Sequence, residues 1–157
     1  MQRRMKEFSM TEQQIQQLLQ TAPVGRISTI GKDGYPYTVA VHFWSSGNAI
    51  YFHGLNQGEK LENIQQCAKV CFEVDRLDKI LSENIPNPCK ADAAYESVVI
   101  RGDAVLVEDM EEKQKALQQI IIKYVPEQAE GKLLPSMIQA VAVVKVCIHN
   151  ITGKYHK

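Results

Sequence analysis

Residues 24–53 contain three short apolar runs separated by turn signals, and this pattern restricts the fold more than any other feature. The first run is rich in β-branched residues, which favour strands. The pair Asp33-Gly34 follows it, and Asp-Gly suits the positive φ angles of a tight hairpin turn. The sequence therefore predicts three antiparallel strands in a meander. The strands are predicted at 24–30, 35–43 and 49–53.

The rest of the chain predicts three more strands and three or four helices from its apolar periodicity. Helices are predicted at 11–21, 59–66 and 110–124, with a further helical turn or two at 133–138. Strands are predicted at 70–75, 97–107 and 140–151, with a bulge or bend at Gly102. Antiparallel strands with helices inserted between the later ones indicate a mainly β fold, a small barrel or curled sheet. One domain spanning 1–157 is expected.

A long segment, 76–94, contains two prolines and little periodicity, so it is predicted to be a loop. A loop of this length inside a compact domain is often functional. It is the one feature that favours a pure interaction module, which is the weakest of the functional hypotheses.

Charge and composition exclude several classes of protein. Lys+Arg and Asp+Glu both number 18, so the chain lacks the basic excess of a nucleic-acid-binding protein. No apolar run approaches the ~20 residues that span a bilayer, and the start lacks the apolar region of a signal peptide. A cytoplasmic protein with free thiols at its four cysteines is therefore expected.

The usual catalytic and nucleotide motifs are missing from the sequence. It has no HExxH and no cysteine or histidine cluster with metal-ligand spacing, so no metal site is predicted. It also has no GxSxG elbow, no GxGxxG and no Walker loop. A phosphorylated cofactor, if one binds, must therefore bind to a β scaffold.

Two residues are candidates for chemistry. Lys60 opens the predicted helix 59–66, where a lysine and unpaired N–H groups can together bind an anion. From this motif alone, a solvated lysine is the more common outcome.

His53 ends the third strand and could donate a hydrogen bond, shuttle a proton or form an adduct. A strand-end histidine is more often a structural partner of a backbone carbonyl. His42, on one strand face with Thr38 and Ala40, carries less weight.

The order and spacing of several segments resemble the pyridoxamine 5′-phosphate oxidase-like, FMN-binding split β-barrel proteins, and more narrowly their nitroimidazole-resistance branch. The resemblance covers nearly the whole chain. The segments that carry it are Gly25–Thr29, Asp33–Tyr37, Ile50–His53, Gly58–Lys60, Asn63-Ile64, Val70–Val74, Tyr95–Ala104, Val107–Asp109, Glu112-Lys113 and Ile151–Lys154.

The resemblance implies a six-stranded antiparallel split β-barrel that forms a homodimer, with FMN in the grooves between the subunits. It implies that Lys60 holds the phosphate and that His53 takes part in chemistry near the flavin. The other cofactor-binding positions that it implies are Val39, Ala40, Val41 and His42 along the flavin, Phe52 beside the ring, Asn63 in the helix, and Ser97 on the fifth strand.

Two departures from the family pattern narrow the function. The chain has Glu59-Lys60 where the wider family usually has two cations, and a carboxylate repels a phosphate. The family's substrate-binding C-terminal motif, with arginine and histidine, is missing, so vitamin B6 oxidation is not expected.

The leading hypothesis is an FMN-dependent oxidoreductase that reduces a small electron-poor substrate, a nitroaromatic such as a nitroimidazole, or a quinone. The alternative is a non-catalytic flavin or haem carrier or sensor on the same barrel. Glu59 is the residue that motivates this alternative.

Overall fold

The computed structural model of the protein describes residues 7–83 and 87–157. Within these residues one antiparallel sheet has seven strands, and four complete α-helices lie around it. The strands are β1 (Gly25–Ile30), β2 (Pro36–Val41), β3 (Phe43–Ser45), β4 (Ala49–Gly54), β5 (Lys69–Leu81), β6 (Asp92–Leu106) and β7 (Ala142–His156). The helices are α1 (Glu12–Thr21), α2 (Glu59–Gln66), α3 (Met110–Tyr124) and α4 (Pro135–Gln139).

The order of the strands shows why the sheet curls. It runs β2-β1-β5-β6-β7-β4-β3, so the two edge strands, β2 and β3, are consecutive in the chain. Only His42 separates them, which brings the two edges of the sheet together at this residue. The mainly β, antiparallel split-barrel fold predicted from the sequence is confirmed.

The strand count is seven rather than the predicted six, because the predicted second strand, 35–43, breaks at His42. Its first half pairs with β1, where Val41 lies opposite Gly25. Its last residue, Phe43, begins β3, which pairs with β4 and places Phe43 opposite Phe52. One run therefore serves both edges of the curled sheet, and the break lets it turn from one partner to the other.

The core fills the inside of the curled sheet and is closed by α1. A capping box between Thr11 and Gln14 starts this helix. The helix buries Ile15, Leu18 and Leu19. These side chains join a cluster centred on the fully buried rings of Phe43, Phe52 and Phe72.

The prediction of a loop over 76–94 is wrong at both ends, because strands occupy its first and last residues. Strand β5 continues to Leu81 and β6 begins at Asp92, with pairing that continues from Leu77 opposite Tyr95 to Leu81 opposite Asp92. The two strands support each other through ladder hydrogen bonds, although Leu77 and Ile80 are exposed and break the apolar alternation. The connection shrinks to 82–91, of which 84–86 lie outside the described residues.

The helices α2 and α3 have the predicted bounds, and Asp109 caps α3 by accepting from the Glu112 N–H at 2.8 Å. The predicted bulge is confirmed, since the pairing of β6 with β7 shifts between Arg101 and Gly102. All four cysteines are free, as predicted. No helix in residues 7–83 and 87–157 is long and apolar enough to span a membrane.

Candidate functional site

The end of β4 and the start of α2 bring Lys60 and His53 together. Strand β4 ends at Gly54, and the chain returns to α2 through Gly58, whose φ of 129° suits a glycine. A Cβ atom on Gly54 would lie 3.3 Å from Lys60 Nζ. The same ammonium lies 5.2 Å from the centroid of the Phe52 ring. Lys60 therefore extends back across the end of β4 rather than into solvent.

Lys60 is a half-buried cation without a counter-charge. Among the described residues, which include every Asp and Glu of the chain, no carboxylate lies within 4.0 Å of its Nζ. Burial lowers the pKa of Lys60 below its usual range. The helix start beside it has Gly58 as N-cap and so no side chain that caps its first N–H groups. An anion at this position would satisfy both the ammonium and the helix end.

His53 presents an unsatisfied ring nitrogen at the same place. Its Nδ1 is buried and has no hydrogen-bond partner among the described residues. Burial lowers the pKa of His53, and the nearby charges of His42 and Lys60 lower it further. The imidazole is therefore neutral at pH 7. A buried ring nitrogen left without a partner is costly, so this atom marks a position where an occupant can hydrogen-bond.

The electrostatic coupling of these two residues can be measured. Replacing Lys60 with Met removes a nearby cation, so the pKa of His53 is expected to rise towards its ordinary value. NMR titration of the His53 ring follows this change. Lys32→Met is the matched control, because Lys32 is exposed and pairs with Glu62 of α2 at 3.5 Å. An equal His53 pKa in both variants would contradict the coupling.

The strip from Val39 to His42 has one face on the core and one outside. Val41 is buried and Val39 packs against the core, whereas Ala40 and His42 are exposed, as the alternation of β2 requires. A shallow cavity of about 210 Å³ lies against this strip. It is lined by Val24, Ala40, Val41 and His42.

Tyr124, at the end of α3, fixes the junction between β2 and β3. Its ring stacks on His42, with 4.3 Å between ring centroids and 25° between the planes. Its hydroxyl accepts from the Phe43 N–H at 3.1 Å and donates to the Phe43 carbonyl at 3.3 Å. Tyr124 is not among the site residues predicted from the sequence. Because 81 residues separate it from Phe43, no local signal could have identified this role.

The comparisons with known proteins agree with this architecture. The sequence model of the pyridoxamine 5′-phosphate oxidase family matches residues 11–155. The chain belongs to this family. The family resemblance that was predicted from the sequence is thereby confirmed. No curated protein matches the sequence.

Solved structures include other members of this fold. A Bacteroides thetaiotaomicron protein, named as a proposed 5-nitroimidazole antibiotic resistance protein, is 27% identical, with a TM-score of 0.81 over 93% of this chain and 85% of that one. The flavocytochrome Anf3 of Azotobacter vinelandii is 20% identical, with a TM-score of 0.86 over 99% of this chain and 72% of its own. An FAD and haem binding protein of Mycobacterium smegmatis is 18% identical, with a TM-score of 0.83 over 94% and 72%.

Two further predicted site residues of this family member, Phe52 and Asn63, have side chains that are buried in the protein. Phe52 is fully buried, so its ring faces the core. Asn63 is 2% exposed and donates from Nδ2 to the Thr29 hydroxyl at 3.1 Å, which ties α2 to β1. Both residues therefore have a structural role in this chain, and their contact with a cofactor stays a prediction.

Ser97 lies at the other end of β7 from His53. Within the sheet, β7 pairs with His53 at Val143 and with Ser97 at Lys154. These two positions are eleven residues apart, which corresponds to about 35 Å along the strand. Ser97 and His53 of one chain therefore lie beside opposite ends of β7.

Proposed function

We propose that the protein binds FMN, with its phosphate on Lys60 and the start of α2. The observation that carries the proposal is the half-buried Lys60 ammonium, which has no carboxylate within 4.0 Å and lies at a helix end without a side-chain cap. A phosphate dianion would supply the missing negative charge and accept the free N–H groups. Two structural neighbours, a flavocytochrome and an FAD and haem binding protein, support a flavin as the cofactor.

The flavin ring would lie along the exposed face of the β2–β3 junction. Ala40 and His42 line a cavity there, and Tyr124 holds the His42 ring in place by stacking. Burial lowers the pKa of His53, and the charges of both His42 and Lys60 are near enough to lower it further. Backbone groups of 39–42 would then contact the polar edge of the ring. The flavin would form a hydrogen bond with His53 Nδ1, which has no partner among the described residues.

A homodimer belongs to this proposal. Ser97 lies beside the opposite end of β7 from His53, about 35 Å away when measured along the strand. A Ser97 side chain that contacts the flavin would therefore come from a second copy of the chain. Size-exclusion chromatography with light scattering is expected to give twice the 17.7 kDa of the chain.

The proposed activity is reduction of a small electron-poor substrate, a nitroaromatic such as a nitroimidazole, or a quinone. The FMN, when bound, supplies the redox chemistry. The chain contributes a neutral imidazole at His53, which can orient the substrate or transfer a proton at a ring nitrogen. The name of the 27% identical neighbour supports nitroimidazoles as a substrate class.

Turnover tests the role of His53. His53→Ala is expected to bind FMN within about threefold of the wild-type affinity but to lower NAD(P)H-dependent reduction of nitroaromatics or quinones by about 10²-fold or more. His149→Ala is the control, since His149 is an exposed partner of Asp103 at 3.1 Å. Full activity of His53→Ala would assign His53 a structural role only.

A carrier or sensor is the second candidate. Glu59 is exposed beside Lys60, so the net charge at the helix start is weaker than two cations would give. Bound flavin with no turnover over a panel of nitroaromatics and quinones would favour a carrier. A Soret band after addition of haem would identify the haem-binding form.

A further inference from the structure

A second cavity, of about 330 Å³, lies between α1, β3 and α3, and it shares no lining residue with the Lys60 site. Its lining combines two aliphatic side chains, one aromatic ring, three uncharged polar side chains and a single cation. The lining residues are Leu19, Gln20, Trp44, Ser45, Gln119, Ile122 and Lys123. We call it the Lys123 pocket.

The cation of this pocket is only partly satisfied. Lys123 donates one hydrogen bond, to the Leu19 carbonyl at 3.1 Å, and its Nζ lies 3.7 Å from the centroid of the Phe43 ring. An ammonium has three donors. No carboxylate lies within 4.0 Å of Lys123 Nζ among the described residues, which hold every Asp and Glu of the chain. Burial lowers the pKa of Lys123 to about 8.

A purely structural role explains only part of this arrangement. The Leu19 carbonyl is in the last turn of α1, where a lysine commonly binds the free carbonyl groups. A lysine with that role alone can keep its charge in water by extending along the surface. Here the ammonium is half-buried at a cavity wall, with two N–H donors beyond the one bound to Leu19.

We infer that the Lys123 pocket binds a small aromatic carboxylate, with the carboxylate on the Lys123 ammonium and the ring beside Trp44. The volume, at the lower end for small-molecule sites, suits a single ring. The remaining donors of the ammonium match the oxygens of a carboxylate. Gln20, Ser45 and Gln119 offer hydrogen bonds without a competing negative charge.

The pH dependence of binding follows from the groups around Lys123. The other residues that line the pocket do not titrate in the neutral range. They are Leu19 and Gln20 of α1, Trp44 and Ser45 of β3, and Gln119 and Ile122 of α3. The centroid of the Tyr124 ring lies 5.2 Å from Lys123 Nζ. Burial raises the pKa of Tyr124, so its phenol stays neutral. Lys123 is therefore the group that titrates. The affinity for a carboxylate is expected to fall as the pH rises through about 8, where the ammonium loses its proton.

The chain's single tryptophan makes the test direct. Trp44 lines the pocket, so its fluorescence reports on an occupant. Titration with benzoate is expected to give a saturable change, and uncharged benzamide is expected to give none. Lys123→Met should weaken benzoate binding by at least about tenfold, and Lys123→Arg should restore much of it.

Lys115→Met is the matched control, because Lys115 lines a different cavity that Trp44 also borders, together with Asp109, Glu111 and Glu112. It is expected to leave benzoate binding unchanged. Equal responses to benzoate and benzamide, or unchanged binding in Lys123→Met, would overturn the inference. If Lys123→Met does not fold, NMR of the wild-type lysine side chains decides. Benzoate should raise the pKa of Lys123, and an unchanged pKa at saturating benzoate would overturn the inference.

Discussion

Replacing Lys60 with Met is expected to weaken FMN binding by about 1–3 kcal/mol, or about 5- to 150-fold in Kd. The change removes the half-buried cation that has no carboxylate within 4.0 Å, and with it the charge-assisted hydrogen bond to the phosphate. Riboflavin, which has the same ring but no phosphate, should bind the wild type and the variant equally. Quenching of flavin fluorescence measures all of these constants.

Comparing FMN with riboflavin distinguishes a loss of the phosphate contact from a structural effect of the substitution. If Lys60 only supported the end of β4, FMN and riboflavin would lose affinity together. Lys32→Met should change neither constant, because the Lys32 side chain is 67% exposed and pairs with Glu62. An unchanged FMN constant in Lys60→Met would remove Lys60 from the site.

Replacing Gly102 with Ala is expected to lower the free energy of unfolding by about 3 kcal/mol or more. A Cβ atom on Gly102 would lie 2.1 Å from the carbonyl oxygen of Cys147 and 3.1 Å from a methyl group of Val146. The contact is with backbone of the neighbouring strand, so it cannot be relieved by a side-chain rotation. Denaturant unfolding followed by circular dichroism measures the loss.

Gly34→Ala is the control for the loss of glycine itself. Gly34 has a φ of 82°, and nothing lies within 4 Å of a Cβ atom placed on it. Its replacement should cost only about 1 kcal/mol of backbone strain. Equal losses in the two variants would show that the close approach of β6 and β7 at the bulge does not determine stability there.

Local signals predicted much of the fold. The bounds of α2 and α3 and the bulge at Gly102 all follow from residues close together in the chain. Pairing between distant strands was harder to predict. The break at His42 and the extension of β5 and β6 into 76–94 arise from ladder partners that a single sequence does not reveal.

The candidate site divides in the same way. The sequence placed Lys60 at a helix start and His53 at a strand end, and the structure brings both to one place. The sequence could not show that Tyr124 holds the β2–β3 junction in place, because its hydrogen bond with Phe43 joins residues 81 positions apart. It also could not show that Lys123 lacks a counter-charge, because the absence of a partner is a property of the folded chain.

Titration of the purified protein with FMN tests the central claim most directly. The proposed site predicts saturable binding with one FMN per chain, a flavin absorption spectrum that stays with the protein during gel filtration, and tighter binding of FMN than of riboflavin. A protein that is colourless as isolated, and that stays colourless after incubation with FMN and gel filtration, would contradict the account.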